Sequence, residues 1–149
     1  MRASRQAFPK VFVATAEPRD EEMAARITRH RAERGSEWRT IEEPREIARV
    51  IRREANQALV VDCLTLWLAN VMGDDAAMQT EPAVSDLVAA LDERKSVIIA
   101  VSNEVGMGII AESPLARAFA DAAGIMNQRV AGVADEVYLL VAGQPLRVK

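Results

Sequence analysis

The sequence holds one histidine, His30, and surrounds it with Arg26, Arg29, Arg31 and Arg34. On a helix, Arg26, His30 and Arg34 are spaced i, i+4, i+8 and share a face. A neutral imidazole among guanidiniums is well placed to attack a phosphoryl group. The arginines neutralise a triphosphate and depress the proton affinity of the ring, which keeps it nucleophilic. Spacing alone favours a plainer alternative, a solvated basic face with the histidine packed beside Met23 and Ile27.

Further chemistry-bearing positions stand at the ends of apolar runs. Ala14-Thr15-Ala16 closes the run from Val11, Asp62 closes Ala58-Leu59-Val60-Val61, and Ser102-Asn103-Glu104 follows Val97-Ile98-Ile99-Ala100-Val101. Ligands of open α/β sheets bind beyond the carboxyl ends of strands, so these three stretches are candidates to line one crevice. The alternative for each is that small and polar residues simply end a strand. Asp62 is placed to hold Mg2+ directly or through water, or else to cap the stretch beginning Cys63-Leu64-Thr65-Leu66-Trp67. In Ser102-Asn103-Glu104-Val105-Gly106-Met107-Gly108 the two glycines permit a tight backbone and close approach of a ligand. That loop lacks the lysine and the spacing of a Walker A motif. Asn127 and Gln128 set two amides among Ile125, Met126 and Val130, either to read a ligand edge or to face solvent.

The elements that must position these residues alternate between strand and helix. Short β-branched runs at 11–14, 58–61 and 97–101 have the pattern of parallel strands covered on both faces. A fourth run at 137–141, a turn at 142–145 and a closing strand at 146–148 predict an antiparallel pair. Asp20 caps a helix through Met23, Ile27 and His30 that stops at Gly35. Pro44 starts a second helix through Ile47, Val50 and Ile51, and 84–94 and 114–134 supply two more, with Gly124 a weak point in the last. Such alternation predicts crossover connections and a mostly parallel sheet. The expected flexible segment is 73–82.

With 149 residues, 50% of them hydrophobic and 28% charged, the chain suits one α/β domain spanning 1–149. This composition excludes disordered, collagen-like and disulfide-stapled chains. A lone cysteine, Cys63, points to a reducing, cytoplasmic compartment. No apolar run approaches the ~20 residues that cross a bilayer, and the first residues carry no secretion signal. A net charge of -3 with 4% aromatics argues against nucleic-acid binding.

Taken together, these segments resemble the bifunctional adenosylcobinamide kinase and adenosylcobinamide-phosphate guanylyltransferase family of cobalamin biosynthesis. The matching stretches are 13–16, 20–27 with His30, 38–40 with Glu42, 62–68, 102–108, 127–128 with 130–131, and 141–143 with 145–146, in family order across nearly the whole chain. The resemblance implies a P-loop-NTPase-like, RecA-like α/β fold with a short C-terminal antiparallel strand pair. It implies phosphorylation of adenosylcobinamide by ATP or GTP, then GMP transfer from GTP through a guanylyl-histidine at His30, giving adenosylcobinamide-GDP. It assigns Ala14, Thr15, Ala16, Arg31, Ala32, Glu33, Arg34, Glu42 and Asp62 to nucleotide binding, with Mg2+ at Asp62, in a homotrimer with sites between subunits.

The family begins with a strand and a phosphate loop of the form G-G-x-R-S-G-K-S. This sequence carries no such loop; Ser4-Arg5-Gln6-Ala7 matches only the residues after its lysine. A catalytically impaired relic that binds nucleotide or corrinoid is therefore the alternative reading. An unrelated α/β hydrolase is disfavoured, since no G-x-S-x-G elbow occurs.

Overall fold

Two strands carry the heart of the molecule because nearly every residue in them is apolar. In the computed structural model, which describes residues 9–73 and 80–149, β1 (Lys10–Ala14) and β3 (Ala58–Asp62) are the inner strands of a parallel sheet. The outer strands are β2 (Trp38–Glu42) and β4 (Ile98–Val101), in the order β2-β1-β3-β4. Inner strands buried on both faces read as continuous Val, Leu and Phe, as β1 and β3 do.

Packing on the two faces is unequal. Val11, Val13, Leu59 and Val61 pack against α2 (Ile47–Arg53), α3 (Leu64–Met72), α4 (Thr80–Asp92) and α5 (Pro114–Val133). Fully buried Ile47, Leu64, Trp67, Leu68, Leu87 and Met126 fill that core. Burying each such side chain stabilises the fold by about 1.5–3 kcal/mol. The opposite face is smaller: Phe12, Ala14, Ala58 and Val60, with Trp38 and Ile99 against them. The helix between β1 and β2, α1 (Glu21–Glu33), buries no residue at all.

Local chemistry sets several boundaries. Asp20 caps α1 by accepting from the Met23 amide at 2.7 Å, as expected. Ser113 caps α5 through the Ala116 amide, with Pro114 in the first turn, where its missing N–H costs nothing. The expected antiparallel pair is present as β5 (Tyr138–Val141) and β6 (Gln144–Arg147). Its turn is tighter than predicted. Ala142 and Gly143, at φ 49° and 76°, make the whole turn, so Gln144 and Pro145 belong to the strand.

Other expectations need correcting. Pro44 does not start α2; the Glu43 carboxylate accepts from the Arg45 and Glu46 amides and closes a turn first. Strand β2 and helix α3 were not predicted. α4 begins at Thr80 rather than 84, so Thr80, Glu81 and Pro82 of the expected flexible segment are helical, while 74–79 lie outside the described residues.

Candidate nucleotide site

Parallel register aligns the strand ends. Glu42 of β2, Ala14 of β1, Asp62 of β3 and Val101 of β4 are register mates and form one row at the carboxyl edge of the sheet. The segments leaving that row are held by hydrogen bonds of two neutral side chains, Thr15 and Asn70. Thr15 is completely buried; its hydroxyl donates to the Cys63 carbonyl and accepts from the Cys63 amide, both at 2.8 Å. Asn70, on α3, donates to the carbonyls of Thr15 at 2.8 Å and Pro44 at 3.2 Å, and accepts from Arg19 at 2.9 Å. One amide thus ties together the chain leaving β1, β2 and β3.

A second set fixes the chain after β4. The Thr65 hydroxyl accepts from the Asn103 amide at 2.8 Å. Ser102 donates to the Asn127 side-chain oxygen at 2.7 Å, and the Asn127 amide donates to the Asn103 carbonyl and the Glu104 carboxylate. The Asn127 amide therefore holds the loop in place, whereas Gln128 is exposed. Asp62 is not the α3 cap either. That position belongs to Cys63, whose sulfur accepts from the Leu66 amide at 3.5 Å. Burial pushes the Cys63 thiol up, and the neighbouring Asp62 carboxylate adds to this.

Charged groups gather around this row. The Arg34 guanidinium lies over the Phe12 ring, 3.6 Å from its centroid, and reaches Thr40 at 3.3 Å. Burial lowers its pKa and Arg31 adds to that, while Asp62 and Glu42 pull in the opposite direction. Arg31 donates to Glu42 at 3.1 Å. At 100° per residue, His30 falls about 40° from Arg34 and about 20° from Met23, on the stripe of α1 that turns toward the sheet. Met23 and Ile27 are half-buried on that stripe, while the imidazole is exposed and takes no hydrogen bond or ion pair among the described residues. The half-buried Asp62 carboxylate likewise has no such partner.

The structure thus brings Ala14, Thr15, Arg31, Arg34, Glu42 and Asp62 together, with His30 one turn of α1 from Arg34. Ala16 follows in the loop after β1. Ala32 falls across the helix from Arg34, and Glu33 is exposed at the end of α1. Asn70, Arg19, Thr65 and Thr40 were not anticipated; the usable signal was an amide, Asn70, inside the otherwise apolar Leu64–Met72. Among the described residues, no three His, Cys, Asp or Glu side chains converge as a metal-binding group.

Comparison with known proteins gives one answer. A family model described as cobinamide kinase / cobinamide phosphate guanyltransferase matches residues 1–148. The bifunctional adenosylcobalamin biosynthesis protein CobP of Pseudomonas aeruginosa is 41% identical over 140 residues, covering 93% of this chain and 81% of its own length. Two proteins named CobU, from Salmonella typhimurium and Escherichia coli, are 38% and 35% identical, each over 93% of this chain and 85% of their own length. The unpartnered histidine, the aligned acidic row and these matches meet in one conclusion: the chain belongs to the cobinamide kinase / cobinamide phosphate guanyltransferase family.

Proposed function

We propose that this chain, as a single nucleotide-binding domain, phosphorylates adenosylcobinamide and then guanylylates the product. In the first step the substrate hydroxyl oxygen bonds to the terminal phosphorus of ATP or GTP and loses its proton to solvent, while the bond to the bridging oxygen breaks and the nucleoside diphosphate leaves. In the second, a ring nitrogen of His30 attacks the α-phosphorus of GTP, the bond to the bridging oxygen breaks, and pyrophosphate leaves. A phosphate oxygen of adenosylcobinamide phosphate then displaces the imidazole, giving adenosylcobinamide-GDP and a free ring. Two displacements through a covalent histidine replace one harder transfer.

The observation that carries this reading is an imidazole without a partner, on the stripe of α1 that also carries Arg34. Arg31 and Arg34 supply positive charge to the phosphates as it redistributes in the transition state. Ala14 and Thr15, whose backbone groups are held within the fold, fix the segment, and Ala16 just beyond them brings a small residue to the nucleotide. Glu42 positions Arg31, and Ala32 and Glu33 flank the nucleotide along α1. One unpartnered carboxylate at a strand end fits Mg2+, which keeps several waters and takes few protein ligands; Asp62 is the residue that would hold it. When bound, the ion supplies charge neutralisation on the phosphate oxygens. A homotrimer with sites between subunits, in the cytoplasm, completes the reading. Among the described residues no helix is long and apolar enough to cross a membrane.

The alternative is a nucleotide- or corrinoid-binding relic. Incubation with adenosylcobinamide, ATP and GTP separates the two. Steady release of pyrophosphate with adenosylcobinamide-GDP supports the enzyme. Calorimetric binding of GTP without product supports the relic.

A further inference from the structure

The chain between β4 and α5 displays apolar side chains that stand exposed among the described residues. Met107, Ile109 and Ile110 are 76%, 100% and 83% exposed, and Leu115, in the first turn of α5, is 57% exposed. Isolated exposed apolar residues are ordinary, but a contiguous group marks a surface for something else. The loop is braced at both ends. Asn127 holds its start through the Asn103 carbonyl and the Glu104 carboxylate, and Arg117 holds its far end through the carbonyls of Ala111 at 2.9 Å and Glu112 at 2.5 Å. A Cβ added at Gly106 or Gly108 meets nothing within 4 Å, so no close packing within the protein requires these glycines. They leave the outer side of the loop flat and open.

We propose that this loop is the corrinoid platform, with Met107, Ile109 and Ile110 lying against one face of the macrocycle. The proposal rests on the reading of the chain as acting on cobinamide, and it adds where that substrate sits. The chemistry is complementary. A corrin ring has broad faces studded with methyl groups and a rim of amide side chains. The loop offers an apolar tip, and the side-chain amides of Asn103 at its start and of exposed Gln128 on α5 have no hydrogen bond among the described residues. Position agrees as well. The loop leaves the sheet at Val101, the register mate of Asp62, so a ring seated on it brings its hydroxyl-bearing arm to the edge where the nucleotide phosphates are placed.

The test is equilibrium dialysis of the intact chain against cobinamide, followed by its visible absorbance. The wild type and an Ile109→Ser/Ile110→Ser variant are compared, with GTP affinity and elution volume measured in parallel. Truncating one buried isoleucine contact weakens binding about tenfold, so the pair should weaken cobinamide binding well beyond tenfold while GTP affinity holds. Unchanged cobinamide affinity overturns the proposal. So does weakening that appears only together with dissociation to a smaller species, which would make the loop a contact between copies of the chain. The dialysis needs no turnover. Failure of His30 to take a guanylyl group would therefore sink the catalytic reading while leaving this one to be decided separately.

Discussion

The two ends of the sheet treat charge in opposite ways. At the amino end, the buried Glu54 carboxylate accepts from Arg39, from Arg53 at 3.1 Å and from Gln57 at 2.6 Å. Every charge of that cluster has a partner, so the cluster is structural. At the carboxyl end the framework is built from neutral groups, Thr15, Asn70, Thr65, Ser102 and Asn127, while Asp62 and His30 take no hydrogen bond or ion pair among the described residues, although the Asp62 charge acts on Arg34. Side chains left with free hydrogen-bonding capacity beside a rigid neutral scaffold suit a charged ligand. An open cavity of 700 Å³ does exist toward the other end, lined by Asn56, Asp92, Arg94, Lys95 and Asp135. There Arg94 is already paired with Asp135 at 2.6 Å, so size alone does not identify the site.

Substitutions at the two ends should separate activity from stability. The largest effect is expected at Asp62. Asp62→Asn should lower turnover about 100-fold or more with an unchanged unfolding midpoint, because the carboxylate contributes charge to the reaction and no bond to the fold. A loss of stability of similar weight would show that Asp62 is structural. Next is Thr15→Val, which keeps the shape and strands the Cys63 amide and carbonyl. Chemical denaturation should report a loss of about 2 kcal/mol, with activity falling because the strand ends lose their register.

Glu54→Gln should be milder, costing about 1.5 kcal/mol with turnover nearly unchanged. Its pH dependence has a defined sign. Burial pushes the Glu54 carboxyl up, but hydrogen bonds and charge from Arg39 and Arg53 outweigh it, and the net position is below the ordinary value. A carboxylate depressed by folding stabilises fully above its unfolded value of about 4.3 and loses that contribution as pH falls through the folded value. Acid unfolding below pH ~4 should therefore be shallower in Glu54→Gln than in the wild type. The smallest expected effect is at Cys63. Burial holds its thiol protonated, so alkylation near pH 7 should be slow in the native chain and fast once unfolded.

Legibility in the sequence followed burial. β1 and β3 were visible because fully covered strands are unbroken apolar runs; β4 was visible because Ile98–Val101 is apolar throughout, although it lies half-exposed at the sheet edge and not covered on both faces as expected, and α1 because Asp20 announces its start. β2 was hidden. As an edge strand it mixes Trp38, Ile41 and half-exposed polar residues, so Trp38–Glu42 shows no apolar run. α3 was hidden for the opposite reason. Leu64–Met72 is apolar nearly all round, which erases the helical period. The site was half legible. Residues at the ends of runs, Ala14, Thr15 and Asp62, followed from the rule that ligands sit beyond strand ends. The ties through Asn70 and Asn127 depend on contacts between residues far apart in the chain, which spacing does not encode. The role proposed for His30 rests on family resemblance rather than on its spacing, which by itself favoured a solvated basic face with the histidine packed beside Met23 and Ile27.

The central claim is that the His30 ring accepts guanylate. The most direct measurement is incubation with GTP labelled at the α-phosphate, followed by denaturation, acid treatment and peptide mapping. The account predicts an acid-labile guanylyl group on the peptide containing His30 and none on the His30→Ala protein. Label persisting on His30→Ala, or mapping to a different residue, would contradict it.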